Sequence, residues 1–147
     1  GPFSNWHPSR FNAGSMEFSC VEQYMMYMKA MFFKDEEIAR SIMKTTSPRE
    51  QKALGRTVKD FSPARWNAVA KHVVFLGVDR KFKDNPDLLE ELEKTKGTLL
   101  VEASPTDCIW GVGLEKEDKN IYDKSKWRGT NWLGEVLTDV RIGIFGE

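Results

Sequence analysis

The sequence predicts a mainly helical α+β fold: one compact domain over residues 1–147, with a few short strands. Three observations carry that expectation. Residues 20–33, CVEQYMMYMKAMFF, form an apolar run without Gly or Pro, rich in good helix formers and too short to span a bilayer. Ser47-Pro48, Ser62-Pro63 and Asn85-Pro86 each place a polar N-cap before a proline, which suits the first helical turn because the N–H it lacks would go unsatisfied there. Strand character is confined to MEF near residues 16–18 and TLLVEA at 98–103. A composition of 40% hydrophobic and 30% charged residues fits a globular chain with a real core.

The elements follow in order. The first 19 residues are rich in aromatic, Ser, Asn, Pro and Gly residues, which is loop chemistry, with one short strand at Met16-Glu17-Phe18. A helix then occupies roughly 20–33. Asp35 caps a second that ends near Lys44. Ser47-Pro48-Arg49-Glu50 reads as a capping box opening a third, to about Arg56. The Ser62-Pro63 helix runs to about Phe82. The Asn85-Pro86 helix is ended by Gly97. Thr98–Ala103 is expected as a strand. Glu115–Gly129 is expected as an exposed, mobile insertion, and a last helix covers about 131–141.

Charge and cysteine usage exclude several classes. Formal net charge is zero, with 22 basic and 22 acidic residues, so no global field attracts nucleic acid or anionic lipid. Any nucleic-acid contact is therefore local, and Lys124, Lys126 and Arg128 mark the place for it. Cys20, Cys108, His7 and His72 lack metal-ligand spacing, so neither a metal nor any other cofactor is expected. With no signal peptide or spanning segment, the expected setting is intracellular and cytoplasmic, with the nucleus open as well. No membrane association and no obligate protein partner are expected.

Within the apolar helix, Glu22 and Lys29 stand seven residues apart, so they project from nearly the same side and flank a patch about 10 Å long. A charge buried without a partner is very costly. The stripe therefore faces water or lines a polar cavity, and the density of Met and aromatic residues favours the cavity. Four further stretches could carry chemistry. Phe3-Ser4-Asn5-Trp6 sets an amide beside two aromatics, suited to sandwiching a planar ring; the alternative is a loop whose aromatics plug the core. Arg56, after Leu54-Gly55, suits a phosphate or simply ends a helix. Trp66 is a site residue or plain core. The run 104–113, SPTDCIWGVG, presents Asp107, Trp110 and Gly111 on a flexible loop; the alternative is a turn that Asp107 caps.

Taken together, FSNW, VEQYMMYMKAMFF, LGR, the Trp66 helix with Lys81-Phe82, LVEASPTDCIWGVG and NWLGEVLTDVR resemble the NADAR family, in this order and over nearly the whole chain. The resemblance implies a compact, mostly helical fold and cleavage of N-glycosidic bonds to ribose. It implies Glu22 as the essential glutamate, and Trp66, Asp107, Lys29 and Arg56 match family positions. With the chemistry of the residues themselves, Glu22, Lys29 and Asp107 are expected to be catalytic, and Phe3, Ser4, Asn5, Trp6, Arg56, Trp66, Trp110 and Gly111 to bind substrate. Two activities go with the family: removal of ADP-ribose from guanine bases of nucleic acid, and hydrolysis of phosphoribosyl-amino-pyrimidine intermediates of riboflavin synthesis. The insertion at 115–129 departs from the compact bacterial form and favours the first as this chain's activity. A module that binds ADP-ribose-like nucleotides without cutting them is the third reading.

Overall fold

Ten elements build the chain in the computed structural model, which describes residues 1–147. They are strands β1 (Phe11–Ala13) and β2 (Met16–Phe18), then helices α1 (Val21–Phe32), α2 (Glu36–Met43), α3 (Pro48–Gly55), α4 (Pro63–Asp84) and α5 (Pro86–Glu93). Two 3-10 turns (Lys119–Tyr122 and Lys124–Lys126) and α6 (Trp132–Phe145) complete the order. The mainly helical α+β expectation holds. The residues fall into two compact units, Gly1–Glu91 and Leu92–Glu147, which divide inside the last turn of α5. No helix is long and apolar enough to cross a membrane.

In the first unit, β1 and β2 form an antiparallel hairpin in the register Phe11–Phe18, Asn12–Glu17, Ala13–Met16. Gly14 turns it at φ +63°, a conformation glycine takes without steric cost. Side chains alternate faces along a strand, so Phe11 and Phe18 stack with centroids 5.8 Å apart, and Tyr24 of α1 meets both edge-on. The pairing makes β1 a strand; its own residues, Phe-Asn-Ala, carry little strand signal, which is why only β2 was expected.

Helix α1 is the centre of this unit and packs against α2, α3 and α4. Close approach depends on two glycines. A Cβ on Gly55 of α3 would collide with the Met26 side chain, and one on Gly77 of α4 would lie 2.8 Å from Tyr24 Cδ2. Three of the caps form as the sequence predicts, whereas the Asn85 side chain donates to the Arg10 and Lys81 carbonyls. Asp35 Oδ1 accepts from Ile38 N at 3.2 Å, Ser47 Oγ from Glu50 N at 3.3 Å, and Ser62 Oγ from Arg65 N at 3.3 Å. The capping box is only half made. Glu50 turns its carboxylate to the Thr45 hydroxyl at 2.6 Å, and Thr45 Oγ1 accepts the Ser47 N–H instead. Two buried glutamines tie the start of α1 to the α2–α3 connection. Gln23 donates to the Ile42 and Thr45 carbonyls and accepts from Ser19 N. Gln51 donates to Thr45 O and accepts from the Cys20 thiol.

In the second unit, the strand expected at 98–103 does not form. No neighbouring strand pairs with it; the only sheet in the chain is β1–β2. The Asn131 side chain takes its polar groups instead, accepting from Glu102 N at 2.8 Å and donating to Leu100 O at 3.0 Å. The 115–129 segment is largely exposed, as expected, but it is folded on itself. Asp118 and Asp123 cap its two 3-10 turns, and Trp127 Nε1 donates to Ile121 O at 2.9 Å. The last helix runs four residues past Arg141, because Ile142-Gly143-Ile144-Phe145 continues it until Gly146 ends it at φ +66°. Arg141 is buried and donates to the Thr95 and Thr98 carbonyls.

Gly77 sits in mid-helix, where Ala is ordinarily worth about 1 kcal/mol more than Gly. Overfilling a packed contact costs about 1–3 kcal/mol. Gly77→Ala is therefore expected to lower the melting temperature, measured by calorimetry. A rise would show that the α1–α4 contact has slack.

Candidate active site

The first turn of α1 is held from outside the helix. Its N-cap residue, Cys20, makes no side-chain cap, and the Glu22 N–H donates to the Asn5 carbonyl at 3.0 Å. The FSNW loop thus satisfies one of the N–H groups a helix start leaves open. The loop is anchored in turn by Lys81 of α4. This lysine is 1% exposed, and its Nζ donates to Ser4 O at 3.1 Å. Ser4 Oγ accepts from Trp6 N at 3.1 Å. Asn5 is 9% exposed, and its Oδ1 is buried without a hydrogen-bond partner. A buried acceptor left open costs about 1–3 kcal/mol, so it is a position where a ligand donor would be welcome. Phe3 lies against Phe82 with ring centroids 6.0 Å apart, whereas Trp6 is exposed, with Lys52 Nζ 6.0 Å from its ring.

Glu22 and Lys29 are both buried, at 6% and 9% exposure. Lys29 Nζ lies 4.2 Å from the centre of the Phe61 ring. Burial pushes the Lys29 pKa down from its ordinary value. The negative charge of Glu22 opposes that shift, and the positive charge of Arg56, which follows α3, adds to it. Burial is the largest of these influences, so the net shift is downward. The outcome is a carboxylate and an amine of reduced basicity within electrostatic reach of each other. Trp66 is buried on α4 and tilts against Phe32 at 6.1 Å.

The structure thus ties Asn5 to the first turn of α1, buries Glu22 and Lys29 on that helix, and brings the charges of Glu22 and Arg56 to bear on Lys29. In the second unit, Asp107, Trp110 and Gly111 share one loop. Asp107 Oδ1 accepts from Ile109 N at 3.0 Å and Trp110 N at 2.8 Å, the turn-capping arrangement that was the alternative for this residue. Trp110 packs edge-on to Trp132 at 5.4 Å. A Cβ on Gly111 would lie 2.9 Å from both Asp107 O and Glu102 O, so only glycine lets the loop close. Sequence reasoning missed Phe61 and gave Lys81 no role. Phe61 precedes the Ser62 cap, a position normally read as a hydrophobic staple onto the helix that follows. Lys81 lies in an otherwise amphipathic helix, where a lysine reads as surface.

A sequence profile described as the NADAR domain matches residues 1–144. The chain is 43% identical over 155 residues to Protein irg-1 of Caenorhabditis elegans, covering 95% of this chain and 73% of the relative. It is 38% identical over 144 residues to N-glycosidase R617 of Acanthamoeba polyphaga mimivirus, covering 95% and 85%. It also matches, at 30% identity, 24% of the length of the chloroplastic Riboflavin biosynthesis protein PYRR of Zea mays, over 99% of this chain. Among solved structures, the NMR structure of the Escherichia coli protein YbiA aligns with a TM-score of 0.80 and 25% identity, over 98% of this chain and 77% of that one.

The depressed Lys29 pKa carries a sign for stability. The folded value lies below the ordinary 10.5, so the buried ammonium weakens the fold at pH values below the folded pKa. That penalty fades as pH rises from the folded value to the ordinary one. Lys29→Met is expected to raise the melting temperature at neutral pH and to remove the gain in stability that wild type shows on approaching pH 10.5. Parallel melting curves for the two proteins contradict the assignment.

Proposed function

This chain belongs to the NADAR domain family, and from that premise we propose that it is an N-glycosidase that removes ADP-ribose from guanine bases of nucleic acid. The observation that carries the reading is the buried Glu22–Lys29 pair on one side of α1, with the unpartnered Asn5 amide oxygen at the end of the same helix. Breaking a ribosyl C–N bond places positive charge on C1′ and the ring oxygen. A desolvated carboxylate stabilises that charge far better than one in water. Glu22 takes this role. Arg56 supplies a fork of donors for the substrate's phosphates. Asp107 Oδ1 is committed to the Ile109 and Trp110 amides of its own loop, a turn-capping role that lends no support to its expected part as a second acid. Trp6, exposed on the FSNW loop, is an aromatic wall for the substrate's flat rings.

Lys29 offers a covalent route. An amine whose pKa is lowered by burial is neutral more often, and only the neutral form is a nucleophile. Once the ribose ring has opened, the Lys29 amine displaces the guanine nitrogen from C1′ and leaves an imine. Water then adds to that imine, releases the sugar as its aldehyde and returns the amine. The net reaction consumes one water.

Two features bear on the choice of substrate. Lys124, Lys126 and Arg128 lie exposed on the folded 115–129 segment and suit local contact with a phosphate backbone. The likeness to a riboflavin biosynthesis protein favours a second reading, hydrolysis of a phosphoribosyl-amino-pyrimidine. The two are separated by incubating the protein with an ADP-ribosylated guanine oligonucleotide and, in parallel, with the phosphoribosyl-amino-pyrimidine. Free ADP-ribose supports the first reading and free ribose 5-phosphate the second. Neither product means a module that binds without cutting.

Glu22→Gln is expected to abolish hydrolysis, a loss of roughly a hundredfold or more for a charge-stabilising group, with an unchanged circular dichroism spectrum. Near-normal turnover by this variant would remove Glu22 from the mechanism. Borohydride added during turnover is expected to leave a sugar adduct on Lys29, detectable by peptide mass. Active enzyme without an adduct excludes the imine route.

A further inference from the structure

Phe61 is an aromatic residue in a position that its own packing does not explain. It is 41% exposed, although it is apolar and precedes the capped start of α4. Its partners are the Lys29 ammonium, 4.2 Å from the ring centre, and the ring of buried Phe33, met edge-on at 5.4 Å. The backbone that aims it is held firmly. Lys59 N donates to Asp35 Oδ2 at 3.0 Å, and Asp60 turns the chain at φ +57°, a left-handed conformation that Asp adopts more readily than most residues. A fixed turn that leaves a ring exposed over the candidate amine points to a ring that is placed for use.

We propose that Phe61 is the aromatic wall of the Glu22–Lys29 site: its exposed part stacks the flat ring of a nucleotide substrate while its π face holds the Lys29 amine. The inference rests on reading that pair as the active site. A π face attracts a cation because of its quadrupole, and the same hydrocarbon surface accepts a purine or pyrimidine by stacking. A single side chain therefore sets both the place of the amine and the place of the ring beside it. An aliphatic residue of similar bulk would fill the space without providing either interaction.

The test compares wild type with Phe61→Leu and Phe61→Trp in two measurements: calorimetric binding of ADP-ribose, and steady-state hydrolysis of the ADP-ribosylated guanine oligonucleotide. Melting temperatures are recorded for all three. Phe61→Leu is expected to weaken ADP-ribose binding and raise KM by roughly tenfold, the loss of one stacked ring. Phe61→Trp, which restores an aromatic face, is expected to restore both. A lower melting temperature for Phe61→Leu with unchanged Kd and KM would overturn the proposal, since that is what a packing residue does. So would a Trp variant that folds and stays as weak as the Leu variant. The two readings fail separately. If wild type binds ADP-ribose without hydrolysing anything and Phe61→Leu weakens that binding, the wall stands and the glycosidase assignment falls. If wild type hydrolyses its substrate and Phe61→Leu does so with the same KM, the reverse holds. If wild type neither binds nor hydrolyses, both fall.

Discussion

Everything in the first unit depends on taking one carboxylate and one ammonium out of water on the same side of α1. An ion loses several kcal/mol of hydration on burial, and attraction to a countercharge returns only part of it. The fold tolerates Glu22 and Lys29 there because the rest of the unit is arranged around them. The ring of Phe61 covers the ammonium, the charge of Glu22 opposes the downward pull on its pKa, and the Asn5 carbonyl holds the backbone at Glu22. A protein selected only for stability would put apolar side chains at both positions.

The surrounding structure acts as a rigid frame for that pair. Lys81 is itself a buried cation, and it fixes the FSNW loop through Ser4 O. Gln23 and Gln51 use their amides on the α2–α3 connection, so the turn of α1 beside Glu22 is held by side-chain hydrogen bonds to a distant segment. Glycines at 55 and 77 bring α3 and α4 close to α1. In the second unit the logic is different. There the Asp107 carboxylate and the Asn131 amide organise a loop through backbone hydrogen bonds, so side chains take the place of a sheet.

Much of this was legible from local chemistry. Caps at Asp35, Ser47 and Ser62 are local events, fixed by residues three apart, and they formed as read. The spacing of Glu22 and Lys29 put both on one side of a helix from periodicity alone. Readings failed where a partner outside the local pattern decided the outcome. TLLVEA has strand character but no strand to pair with, and an asparagine about thirty residues later takes its polar groups. Glu50 belongs to a capping box by spacing, yet Thr45 offers it a better donor. Phe61 and Lys81 look like a staple and a surface lysine, because nothing local says that one faces an ammonium and the other is buried against a carbonyl.

The most direct test of the desolvated pair is an NMR titration of the Lys29 side chain, following its 13Cε shift with pH in wild type and in Glu22→Gln. A buried amine coupled to a carboxylate titrates below the ordinary 10.5, and it titrates lower still once the carboxylate is neutralised. A Lys29 that titrates at the ordinary value, unmoved by Glu22→Gln, would mean that both side chains are hydrated and independent, and α1 would then carry no such site.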